Sequence, residues 1–123
     1  MLVWKVVKKD RNSAIMNGSL TVHYFQGLTV KPKDKRFPLI AFKTLEDARK
    51  MVSGLDILNL SIIKCRATRS RSKIKKLVEA SVFYDKNYSA DNLLYIISND
   101  FYTFDLFERY PGSVLCSSIT PLE

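Results

Sequence analysis

The chain predicts an α+β domain, a mainly antiparallel sheet with one or two helices packed on one face. Three observations carry that reading. Apolar and polar residues alternate through Leu2–Lys9 and again through Leu20–Phe25, the period-two pattern of strands. Between them stands Asn17-Gly18, a strong type I′ hairpin signal. Phe37–Gly54 (FPLIAFKTLEDARKMVSG) then reads as a buried strand running into a capped helix.

In chain order, Val3, Lys5 and Val7 share one face of the first strand, and Leu2, Trp4, Val6 and Lys8 share the other. Apolar groups on both faces place this strand inside a sheet. Asp10-Arg11-Asn12 is a turn, Ser13–Met16 an extended segment, and Leu28–Val30 a short strand after Gly27. The first third is thus expected to be an antiparallel meander. Lys31–Arg36 (KPKDKR) is a polar connector, in which Pro32 excludes regular pairing. In the next unit Thr44 occupies the N-cap position, with Glu46 and Asp47 in the first turn. Leu45, Ala48, Met51, Val52 and Leu55 fall on one helical face, and Gly54 offers a left-handed stop. Asn59–Cys65 is a strand. Leu77–Tyr84 fits helix or strand, whereas Ser89 can cap a helix over Ala90–Ser98, for which a buried strand is the rival. In Phe101–Tyr110 aromatics recur every third residue, yet Tyr102, Phe104 and Leu106 equally suit a strand. Pro111-Gly112 is a type II turn, and Ser113–Ile119 the last strand.

Composition places all 123 residues in a single domain with a genuine core: 46% are hydrophobic and 11% aromatic. No apolar run reaches membrane-span length, and the first residues lack the layout of a signal peptide. Cys65 and Cys116 stand outside any CxxC spacing and are expected as free thiols in a cytoplasmic protein. The net charge of +8 is unevenly distributed. Residues 1–76 hold 18 Lys/Arg against 5 Asp/Glu, and residues 77–123 hold 2 against 7. The excess therefore lies wholly in the first part, which points to an anionic partner or to attraction between the halves.

Lys64–Lys76 (KCRATRSRSKIKK) concentrates that charge, with seven basic positions in thirteen and no acid. If the segment is extended, Arg69, Arg71, Lys73 and Lys75 line one edge at intervals of ~6.6–6.8 Å, set by the strand rise. That interval is close to the spacing of phosphates along a nucleic-acid strand. Arg66, Arg69, Arg71, Lys73, Lys75 and Lys76 are accordingly the candidate anion-binding residues. No aromatic lies between Ile62 and Val82, so base stacking is not expected from this segment alone. The aromatic cluster is core by composition; if exposed, Tyr102, Phe107 and Tyr110 are candidates for a protein interface. His23 is the only histidine and has no sequence neighbour able to act with it as nucleophile or orienting acid. The four glycines form no phosphate-cradling motif, and neither GxSxG nor HExxH occurs. Neither a metal nor another cofactor is expected.

Trp4-Lys5-Val6-Val7 with Asp10-Arg11-Asn12-Ser13-Ala14, Tyr24-x-x-Gly27, and Phe42-Lys43-Thr44-Leu45-Glu46-Asp47-Ala48 together resemble a family of small proteins of bacteriophages and related mobile DNA. Tyr110-Pro111-Gly112-Ser113-Val114-Leu115-Cys116 and Thr120-Pro121-Leu122-Glu123 fit the same resemblance, which thins between Cys65 and Asn99. It implies a viral accessory protein or inhibitor of a host factor and brings no site residue with it. The expectation is a non-enzymatic protein whose basic surface contacts nucleic acid or an acidic protein face of the host, away from membranes. Two alternatives stay open. One is a small transferase or nuclease-like enzyme assembled from distant residues such as His23, Tyr24 and Glu108. The other is a structural virion component that oligomerises through the aromatic segment. The sequence leaves the oligomeric state undetermined.

Overall fold

The computed structural model describes residues 1–14, 20–54, 59–78, 89–99 and 103–123. Along the chain these form β1 (Leu2–Lys8), β2 (Leu39–Phe42), α1 (Leu45–Ser53), β3 (Leu60–Arg69) and β4 (Lys76–Val78). Then follow α2 (Ala90–Ser98), β5 (Thr103–Asp105), α3 (Leu106–Arg109) and β6 (Ser113–Pro121). The fold is α+β with antiparallel pairing throughout. Four strands close into a small barrel in the order β1-β2-β6-β3, and β4 pairs with β5 in a separate two-stranded sheet.

Closure explains the two-sided hydrophobicity of the strands. In β2, Leu39 and Ala41 pack inside the barrel, while Ile40 and Phe42 face an outer core shared with Ala48 and Met51 of α1. All four β2 residues are buried, as a run without polar alternation requires. The outer core extends to Leu93 of α2 and Leu106 of α3.

The caps expected for α1 are present. Thr44 Oγ1 accepts the Asp47 N–H at 3.1 Å and donates to Asp47 Oδ2 at 2.8 Å. Gly54 ends the helix in a right-handed conformation (φ −76°), not the left-handed one anticipated, because its N–H still reaches Lys50 O at 3.3 Å. Leu55 lies outside the described residues. Ser89 caps α2 by accepting the Asn92 N–H at 3.1 Å, so this segment is helix and not buried strand. The aromatic segment divides: Thr103–Asp105 is strand and Leu106–Arg109 is helix. Cys65 and Cys116 are free and buried.

The meander is not formed as expected. Isolated bridges Val7↔Ser13, Asn12↔His23 and Val30↔Ile119 replace continuous strands at Ser13–Ala14, Leu20–Phe25 and Leu28–Val30. The reason is topological. β3 pairs with β1 along its whole length, and β2 meets the other edge at Trp4, so Ser13 and Ala14 have only the short Val6–Val7 stretch of that edge to bridge. Asn17-Gly18 lies outside the described residues, as does Leu77–Tyr84 beyond β4.

Gly112 has φ +84°, as the type II turn demands. A Cβ there would stand 2.1 Å from Asp47 Oδ2 and 2.9 Å from Asp47 Cβ. Gly112→Ala is expected to destabilise the fold by about 2–3 kcal/mol, from left-handed strain plus displacement of the α1 cap. A urea midpoint lowered at constant m-value is the measurement that checks it; an unchanged midpoint contradicts it.

Candidate basic groove

The site begins at a β-bulge. Up to Ala67, β3 alternates, with Ile63, Cys65 and Ala67 buried inside the barrel and Lys64 and Arg66 exposed. The register shifts between Thr68 and Arg69, after which Arg69 pairs with Cys116 and the Ser70 N–H reaches Leu115 O at 2.8 Å. A bulge disrupts the ladder at this kind of position, and here β3 ends one residue beyond it, at Arg69.

Serine hydroxyls then make local bonds along a segment without regular secondary structure. Ser70 Oγ accepts the Ser72 N–H at 3.0 Å, and Ser72 Oγ accepts the Ile74 N–H at 3.3 Å. Ser72 and Ile74 are half-buried, whereas Arg71, Lys73 and Lys75 are exposed, so the alternation read from the sequence is the one present. Lys75 O accepts the Leu106 N–H at 2.7 Å, and Lys76 stands opposite Asp105 in the β4–β5 ladder. These contacts bring α3, and with it Phe107, to the side of the basic segment.

The result is a surface cavity of about 330 Å³ lined by Lys43, Arg69, Ser70, Ser72, Phe107 and Ser113. Lys43 is set there by its N–H bond to Gly112 O at 2.9 Å. Ser70 also lines a neighbouring cavity of about 430 Å³ with Lys31, Lys35, Ser117 and Ser118. No acidic residue lines either cavity among the described residues.

Arg66, Arg69, Arg71, Lys73 and Lys75 make no ion pair with any carboxylate among the described residues. Asp34 and Asp91 hold Arg36, and Glu46 holds Lys50. Hydrogen bonds from Arg36 hold the Asp34 carboxyl down to about 2. The six predicted residues are all exposed, but they do not converge on one point. Arg69 lines the groove, whereas Arg71, Lys73 and Lys75 are exposed but line neither cavity. Arg66 sits opposite Leu2 and Thr120 on the barrel wall and lines neither cavity.

Of the aromatic candidates, Phe107 is exposed in the groove and Tyr102 lies outside the described residues. Tyr110 is half-buried with its ring edge-on to Phe104 at 6.1 Å. His23 is half-buried, with Nδ1 2.7 Å from Asn12 Oδ1 and its ring against Phe25. No cavity lined by described residues gathers His23, Tyr24 and Glu108, and no metal-ligating cluster occurs among those residues.

Sequence reasoning missed two features. Lys43, Lys31 and Lys35 are distant in the chain from Lys64–Lys76, and only the topology joins them to it. The other is Lys5, which points into the barrel between Val3 and Val7 and is 2% exposed. Its ammonium donates to Ile40 O at 2.5 Å and lies 5.2 Å from the Tyr24 ring centroid. Burial pushes it down to about 8, against the pull of the Cys116 and Cys65 thiols. Burial pushes those thiols up to about 11 and raises the Tyr24 hydroxyl as well. That hydroxyl has no hydrogen-bond partner among the described residues. The visible signal was a lysine flanked by valines on one strand face.

No helix among the described residues is long and apolar enough to cross a membrane. No family model, curated protein or solved structure matches the chain.

Proposed function

We propose that this is a small non-enzymatic binding protein whose basic groove engages nucleic acid. The reading rests on one observation: Arg69 and Lys43 both line a groove that Phe107, Ser70 and Ser72 also line, with no described acid among its lining residues. An acidic protein face would satisfy the cations alone. The aromatic ring and hydroxyls beside them favour a ligand with phosphates, sugars and bases. The resemblance to phage proteins adds a setting, a viral accessory factor acting on nucleic acid in a host cytoplasm. The enzyme alternative lacks a cavity that unites its proposed residues among those described.

Binding should be governed by counterion release. With three or four phosphates neutralised on a single strand, log K is expected to fall against log salt with a slope of roughly −2 to −3. Fluorescence anisotropy of a labelled oligonucleotide across a salt series measures it. A slope near zero, or no binding at low salt, contradicts the assignment.

A further inference from the structure

We infer that the groove selects single-stranded over double-stranded nucleic acid and seats an unpaired base on Phe107. This inference rests on the nucleic-acid reading and specifies its substrate. Three features carry it. Phe107 is the exposed aromatic of the groove, 36% accessible, while its neighbours Phe104 and Leu106 are buried and hold the short helix in place. A ring presented beside cations stacks on a splayed base, a geometry that a paired base inside a duplex does not offer.

The second feature is continuity. Ser70 belongs to both cavities, so the cationic surface runs from Lys43 and Arg69 to Lys31 and Lys35. Lining residues of the two cavities span Ser113 to Ser118 on β6. At the strand rise that is about 17 Å, room for on the order of three or four nucleotides of an extended strand. The third is the hydroxyl lining, Ser70 and Ser72 on one side and Ser117 and Ser118 on the other. Such groups contact phosphate and sugar oxygens without reading sequence. One strand therefore passes over Arg69–Ser72 with its backbone on the cations and one base against the Phe107 ring, with little sequence preference.

The test compares three probes on the intact protein: a ten-nucleotide oligothymidine, a duplex of equal length, and heparin as a polyanion without bases. The single strand is expected to bind more tightly than the duplex. Phe107→Ala should weaken the single strand by between about fivefold and a hundredfold while leaving heparin affinity within about twofold. Phe107→Trp should preserve or tighten single-strand binding, which separates stacking from a folding defect in the alanine variant. Equal affinity for both nucleic acids overturns the inference, as does an alanine variant that loses all three probes equally or none. Either result leaves the broader nucleic-acid reading standing. Failure of all three probes to bind the wild type overturns both.

Discussion

Reversing both cations of the groove, Lys43→Glu with Arg69→Glu, is expected to weaken oligonucleotide binding by roughly a hundredfold or more at low salt. Each reversal removes an attraction and introduces a repulsion. At contact distance in water each of these is worth about 1 kcal/mol, so two positions approach about 4 kcal/mol before screening. Physiological salt shortens the reach of these charges and trims the effect. Both side chains are exposed and make no ion pair among the described residues, so the thermal midpoint should hold. Arg49→Glu, on the exposed face of α1, reverses one cation away from the groove and should change affinity only slightly. If the groove double variant binds like wild type, the cations serve solubility and not recognition.

Lys5→Met is expected to raise stability, by roughly 1–3 kcal/mol at neutral pH. The folded ammonium titrates near 8, against 10.5 for the ordinary side chain. That difference amounts to a penalty of about 3 kcal/mol on the charged form. Methionine fills a similar volume and removes the penalty, at the cost of the bond to Ile40 O and the contact with Tyr24. The pH dependence provides a second signature. Between about pH 8 and 10.5 the unfolded chain holds the Lys5 proton and the folded chain does not, so stability rises with pH there. The two thiols act oppositely. The unfolded chain loses their protons near 9 and the folded one near 11, so they lower stability from about pH 9 upward. The raised Tyr24 hydroxyl reinforces that fall. Wild type should therefore show a shallow maximum near pH 8.5–9, and Lys5→Met should lose the rising limb but keep the falling one. Urea denaturation at pH 7, 8, 9 and 10 resolves this; a variant less stable than wild type at every pH contradicts it.

Local physics was legible in the sequence, and the assembly was not. The cap at Thr44, the turn at Gly112, the helix after Ser89 and the alternation from Arg71 to Lys75 each follow from a few neighbouring residues. Barrel closure depends on which distant strands share edges. Nothing near Leu20–Phe25 announces how little of the second edge of β1 is left open. The groove divides in the same way. The Arg69–Lys75 pattern was readable because charge and period coincide, but Lys43 and Phe107 reach it only through the Gly112 turn and the β4–β5 pairing. The absence of aromatics between Ile62 and Val82 was a correct statement about sequence, yet in space Phe107 supplies one. Lys5 was placed on the correct strand face, and its burial follows only once the barrel is closed around that face.

The most direct test follows backbone amide shifts by NMR as oligothymidine is titrated into the labelled protein. The account predicts the largest changes at Lys43, Arg69–Ser72, Phe107 and Ser113–Leu115, extending to Lys31 and Ser117–Ser118, with the exposed face of α2 unchanged. Shifts centred on α2, on the Phe25–Leu28 end of the barrel, or nowhere at saturating oligonucleotide would contradict it.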